Sequence, residues 1–257
     1  MKSAQILRDK INSRQLTLGM LVTLHLWPDL IEIAQRAGLD YLILDSEHGP
    51  HDAEKLATAC SIGRMIDFPV LIRPAESDYR TVRFAADLGP CGFLLPQVKN
   101  AAMLDDVRDG IYLPPRGKRR PGGHGNRWTS DFTQPGWVEQ VENDWIVLPQ
   151  IESQEGLDNA DAIAAHEITT AIAIGPYDLS AGLGVCAQLT GEKMFAVYDQ
   201  IREAGRRAGK AMWMIGDGPT LQQRGFTFLC IGEPMMALEG MIKTNVGGLR
   251  KGADGGA

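Results

Sequence analysis

Three ionisable residues crowd the end of an apolar run. In YLILDSEHGP, Asp45, Glu47 and His48 follow four residues that read as a buried strand. Carboxylates and an imidazole in such a place suit proton transfer or cation binding. The bland alternative is a polar loop with an exposed histidine. Further along, LIRP ends a second apolar run with Arg73, and WIVLPQIE ends another with Gln150 and Glu152. AIAIGPYD brings in Asp178, and GFLLPQVK ends with Gln97 and Lys99. Glu152 and Asp178 have no cysteine or histidine beside them. Two such carboxylates suit a hard divalent cation that leaves positions open for water and substrate oxygens. Against that stands a helix-capping Glu152 and an Asp178 in a turn. An arginine at a strand end needs an anion, either a substrate oxygen or a structural partner such as Asp45 or Glu47. A Schiff-base lysine is disfavoured. Only Lys99 lies near the C-terminal end of a strand, and Lys210 lies at the start of one.

These residues do chemistry together only if a fold gathers them. Eight apolar runs alternate with amphipathic helical stretches: LTLGMLVTL, YLILD, PVLIRP, GFLLPQV, WIVLPQIE, TTAIAIGP, KAMWMIG and FTFLCIG. The runs are continuously apolar, as strands covered on both faces are. Eight strand-then-helix units in 257 residues predict a single-domain (β/α)8 TIM barrel. A doubly wound sheet usually carries a glycine-rich loop after its first strand, and TLHLWPDL has none. In the barrel all the named groups reach one mouth, at the C-terminal ends of the strands. A long segment from Tyr112 to Asp144, rich in Gly, Pro and Arg, separates the fourth and fifth units. Its stretch from Arg116 to Arg127 is read as a solvated or subunit-contact loop, or as a cover for an anionic substrate. Residues 250–257 read as a frayed tail.

Composition narrows the partners. A net charge of −6 argues against nucleic acid. No run approaches the ~18 apolar residues of a membrane span, and the N-terminal residues lack the apolar core of a signal peptide. Cys60, Cys91, Cys186 and Cys230 are far apart and read as reduced thiols, so the cytoplasm is the expected compartment. His25, His51, His124 and His166 are read as structural or exposed, with a reservation for His25 near the end of the first strand.

LDSEHGP, LIRP, PPRGKR, LPQIES and AIGPYDLSAGLG stand in the order and spacing of the HpcH/HpaI family of metal-dependent 2-oxo-acid aldolases. The chain resembles that family from about Leu18 to about Gly240. The resemblance implies a carbon–carbon lyase that joins a 2-oxo acid, pyruvate or hydroxypyruvate, to an aldehyde. It implies Mg2+, Mn2+ or Co2+ on Glu152 and Asp178, with Asp45 and Glu47 beside the metal site. Arg73 would meet the keto oxygen. His48 and Asp87 would form a dyad acting through a water, and Gln150 would lie near the substrate. Backbone N–H groups around Gly175, Tyr177 and Asp178 would hold the carboxylate, with Pro176, which has no N–H, between them. It further implies a homohexamer, a trimer of dimers, with the C-terminal helix on a neighbour. The chain departs from the family at Arg120, where a glycine is usual, and at Tyr177 and Trp213, where smaller side chains are usual. These changes bear on the aldehyde pocket. An acyl-CoA lyase of the citramalyl or malyl type, and a barrel without catalysis, are the competing expectations.

Overall fold

The structure, a computed structural model, describes residues 1–120 and 122–254; for 251–254 only the backbone is described. The first elements are α1 (Lys2–Asn12), β1 (Thr17–Val22), α2 (Leu30–Arg36), β2 (Tyr41–Asp45) and α3 (Ala53–Met65). β3 (Val70–Arg73), α4 (Tyr79–Asp87), β4 (Gly92–Leu95) and α5 (Ala101–Ile111) follow. The long segment carries α6 (Gln134–Gln140) between 3-10 turns at His124–Trp128 and Glu142–Asp144. Then come β5 (Ile146–Ile151), α7 (Gln154–Asp158), α8 (Ala160–Ala165), β6 (Ala171–Ile174) and α9 (Pro176–Gly182). The chain ends with α10 (Glu192–Arg207), β7 (Ala211–Ile215), α11 (Gly218–Gln223), β8 (Phe228–Cys230) and α12 (Pro234–Asp254).

All eight strands pair in parallel with their sequence neighbours, and β8 returns to β1 to close the barrel. The eight apolar runs are therefore its eight staves. Because side chains alternate across a strand, each run feeds two cores. Ile43, Leu71, Leu148 and Phe228 fill the bore. Leu42, Leu44, Ile72 and Ile172 face outward to the helices. In the bore Tyr41 donates its hydroxyl to the Leu229 carbonyl, and the Trp213 indole donates to Tyr41 at 2.8 Å. Gly19 leaves room for the Tyr41 ring, since a Cβ there would lie 2.4 Å from it. Trp213 is fully buried and lies opposite Ala173 in the register of β6 and β7, where a larger residue would compete for the bore.

Several helices start on a side-chain cap just past the mouth. Asp52, Asp78, Asn100, Ser153 and Asp217 each accept a backbone N–H three residues on, or from the first turn. Gly38, at φ +89°, ends α2 as its sequence position suggested.

Four elements differ from the sequence reading. The N-terminal residues form α1, whose Ala4, Leu7 and Ile11 join the bore and close the barrel at the strands' N-terminal end. The stretch SQEGLDNADAIAAH is two short helices, parted at Asn159. The glycine-broken stretch after β6 contains α9, opened by Pro176. α12 continues through Asp254, into the expected tail; residues 255–257 lie outside the described residues.

The long segment runs from the end of α5 to the start of β5, so it packs at the end of the barrel opposite the mouth. Arg119 is buried there. It reaches Asp87 at 3.0 Å and lies near the faces of Trp137 and Trp145. Arg116 pairs with Glu167 and Lys118 with Asp109. The segment thus cannot cover the reaction mouth of its own chain.

Candidate active site

The strand ends build one acidic cleft around a single guanidinium. Asp45 and Arg73 are direct partners in the register of β2 and β3, which sets their side chains next to each other. Arg73 grips Asp45 with two hydrogen bonds, Nε to Oδ1 at 2.9 Å and Nη2 to Oδ2 at 2.6 Å. Its Nη1 lies 3.1 Å from Glu47 Oε2. Asp45 also accepts from the Thr23 hydroxyl and from the backbone N–H groups of Glu47 and His48. It is fully buried, so burial pushes its carboxyl upward. The bonds and charge of Arg73, with those of Thr23 and His48, outweigh that and hold it below the usual carboxylate range. The structural ion pair considered for Arg73 is present, yet Arg73 also lines the cleft. Asp45 takes two of its five N–H donors.

Glu152 is buried at the end of β5 and does not cap the helix after it; Ser153 does. Its Oε2 accepts the backbone N–H of Gln97 at 2.8 Å, from a residue held at φ +56°. Gln97 therefore serves the site through its backbone, a role its position at a strand end hid. Burial, with the charges of Glu47 and Asp178, pushes the Glu152 carboxyl up to about 7. Gly175 makes room for it, because a Cβ there would meet Glu152 Oε1 at 1.8 Å. This glycine is needed for close approach, not for a turn. Asp178 sits in the first turn of α9, near enough to raise both Glu152 and Glu47.

The cleft has a volume of about 560 Å3. His48 stands at its rim, 61% of its side chain exposed, with Nε2 3.8 Å from Glu47. Gln150 is buried, and among the described residues its Oε1 lacks a hydrogen-bond partner, whereas Glu47 Oε2 has only its ion pair with Arg73. Trp213 forms the floor, and Tyr177 stands exposed at the edge beside the buried Pro176. Leu21, Leu189 and Ile215, which sequence reasoning did not single out, complete the wall. They carried no signal beyond being apolar.

Asp87 is the one expected site residue that the chain keeps away from the mouth. It ends α4, the helix that descends to the opposite end of the barrel, and its carboxylate is taken by Arg119. A His48–Asp87 dyad does not form within one chain. His25 stacks on Trp27 and is not part of the cleft. The other three histidines bind Val22, Ser61 and Asp105. A hollow of about 650 Å3 opens near Arg14, Glu203 and Lys210, but it has none of the strand-end groups. The smaller cleft is the candidate site, because the unpartnered Gln150 oxygen and the perturbed Glu152 carboxyl meet there.

Comparison with known proteins agrees with this fold. The sequence profile of the family described as HpcH/HpaI aldolase/citrate lyase matches residues 20–228. A hydroxypyruvate/pyruvate aldolase of Pseudomonas aeruginosa is 30% identical over 233 residues, 88% of this chain and 86% of that protein. A 2-keto-3-deoxy-L-rhamnonate aldolase of Escherichia coli O6:K15:H31 is 28% identical over 88% of this chain and 86% of its own length. The crystal structure of an HpcH/HpaI aldolase from Desulfitobacterium hafniense DCB-2 superposes with a TM-score of 0.88 at 26% identity, covering 95% of this chain and 96% of that one. The chain belongs to the HpcH/HpaI aldolase/citrate lyase family and is, like these aldolase relatives, a carbon–carbon lyase.

Proposed function

We propose that the chain joins the enolate of a 2-oxo acid, pyruvate or hydroxypyruvate, to an aldehyde, or cleaves the resulting 4-hydroxy-2-oxo acid, with the help of a divalent cation. The observation that carries this reading is the surplus of carboxylates around Arg73. Asp45, Glu47 and Glu152 lie close enough to act on the one guanidinium, Asp178 acts on Glu47 and Glu152, and among the described residues the buried Gln150 Oε1 lacks a hydrogen-bond partner. An all-oxygen donor set of this kind fits Mg2+, Mn2+ or Co2+. Among the described residues no three His, Cys, Asp or Glu side chains converge as a complete cage. Glu152 and Asp178 would therefore hold the cation with water and substrate oxygens as the other ligands. Bound there, it would supply Lewis-acid stabilisation of an enolate.

The chain's own groups do the rest. Arg73 places N–H donors where the keto oxygen gains negative charge, and such preorganised donors act mainly on the transition state. The backbone N–H groups of Tyr177 and Asp178, in the first turn of α9, offer donors to the substrate carboxylate. Trp213 shuts the cleft from below. His48, at the wet rim, takes the proton of the C4 hydroxyl through water in cleavage and returns it in synthesis. Asp87 does not orient the His48 of its own chain, so the implied dyad requires a second copy. Assembly is supported by α12, which exposes Met236, Met241, Ile242 and Leu249. We propose a homo-oligomer, a hexamer built as a trimer of dimers. No described helix is long and apolar enough to cross a membrane, and three of the four free cysteines are buried, which supports a cytoplasmic location.

Exchange of the pyruvate methyl protons in D2O, followed by NMR, tests the reading without any aldehyde. Exchange is expected with added Mn2+ and should stop with EDTA. Exchange unaffected by EDTA, or a borohydride-trapped pyruvate adduct on a lysine, would overturn it. A second expectation concerns Gly175. Gly175→Ala should force the Glu152 carboxylate aside and weaken Mn2+ binding about 10–100-fold. Titration calorimetry reads that loss, and circular dichroism checks that the fold persists.

A further inference from the structure

We propose that the acceptor aldehyde carries an apolar tail, which is seated in a second chamber beside the reaction cleft. This inference rests on the aldolase reading above and names the class of its second substrate.

The cleft is two-faced. Its charged groups lie on the ends of β2, β3 and β5 and at the start of α9. The wall built by Leu189, Ile215, Pro176 and Trp213 is apolar. That wall does not end the cavity system. Pro176, Leu189, Ile215 and Gly216 also line an adjoining hollow of about 110 Å3. Its other lining includes Phe195, Tyr198, Met214 and Leu221, all buried. Gly216 stands at the junction, at φ +154°, and a Cβ there would lie 3.3 Å from Leu221. Glycine keeps the junction clear where any side chain would crowd Leu221.

The chamber offers little to a polar tail. Tyr198 has its hydroxyl on the Leu189 carbonyl at 3.0 Å, so it presents its ring. The Phe195 ring meets that ring edge to face, with centroids 5.6 Å apart, which fixes both. At the outer rim, the Thr220 hydroxyl is bonded to Asp217. Among the described residues no cation lines this chamber, and Arg224, stacked on Phe195, is not part of its wall. Among the described residues, Asp217 is the only charged one that lines it. A semialdehyde ending in a carboxylate would meet a like charge there. A polyhydroxy aldehyde would lose water contacts without replacing them. An aliphatic tail fits, since the volume is somewhat below the ~150 Å3 of an apolar cavity that takes benzene.

The test is a series of acceptors with pyruvate and Mn2+. In the wild-type enzyme, kcat/KM should rise from acetaldehyde to hexanal by up to about fourfold per methylene, until the chamber is full. Hexanal should exceed both glycolaldehyde and succinic semialdehyde by at least about tenfold. Leu221→Phe should flatten the series and leave acetaldehyde unaffected. Leu189→Arg, at a half-exposed loop position, should shift preference toward succinic semialdehyde. If Leu221→Phe does not fold, the wild-type series and Leu189→Arg still decide. A flat or falling series, or a preference for either polar acceptor, would overturn the inference. Pyruvate proton exchange separates the failures. Exchange with a flat series removes the apolar acceptor and leaves the aldolase, whereas absence of exchange removes both.

Discussion

Arg73→Lys is expected to lower kcat/KM for pyruvate-dependent aldol addition by about 10²–10³-fold while the protein stays folded. The magnitude is that of losing one preorganised donor to an oxyanion. In the structure Nε and Nη2 hold both oxygens of Asp45, and Nη1 approaches Glu47. A lysine ammonium keeps the positive charge but is a single point with no planar fork. It can neutralise Asp45 or reach into the cleft, but it cannot do both from one rigid plane. The loss should fall mainly on kcat, because the interaction strengthens as the oxyanion forms. Steady-state kinetics with circular dichroism as the fold control measures it. Turnover within about threefold of wild type would leave Arg73 a structural residue only.

Asp45→Asn should have the largest effect on stability. Asp45 is fully buried and accepts bonds from Arg73, Thr23, Glu47 and His48. Removing its charge leaves Arg73 poorly compensated in a site only a few per cent exposed. Breaking a buried pair from one side costs about 3–5 kcal/mol. In a chain of this size that corresponds to a melting temperature lowered by roughly 6–20 °C. The amide also loses one acceptor oxygen, so the turn carrying Glu47 and His48 loosens and activity falls with stability. Thermal unfolding of the wild type and the variant, both with EDTA, isolates the effect from cation binding. A change below about 1 kcal/mol would show that Glu47 takes over as the partner of Arg73.

The fold was legible because each strand is a continuous apolar run between helical stretches, and in parallel barrels that pattern has few other uses. Asp45, Arg73, Glu152 and Asp178 were legible because charged residues at the ends of such runs must reach the mouth. Gly175 and Gln97 were named, but not for what they do. One acts by lacking a side chain and the other through its backbone N–H, and neither property is a matter of residue type. α1 was hidden because its apolar positions, Leu7 and Ile11, are few among charges and its role is to close the bore. Asp87 was assigned to the mouth by resemblance alone. The direction of α4 places it at the other end, a fact about chain path that no local motif contains. The long Arg-rich segment was open to two readings until its anchor, Arg119 near Trp137 and Trp145, placed it away from the mouth of its own chain.

The indole–phenol–carbonyl chain from Trp213 through Tyr41 to Leu229 has a consequence for how such a protein can change. With Ile43, Leu71, Leu148 and Phe228 it fills the bore between the reaction mouth and the end closed by α1. In the proposed assembly, changes in the segment from Tyr112 to Asp144 would act on the mouth of a neighbouring copy, through the Arg119 that holds Asp87, and not on the mouth of their own chain. The loops around Leu189 and Gly216 can drift under selection for a new acceptor. Within one chain the two ends can change separately, and the proposed assembly is what would couple them.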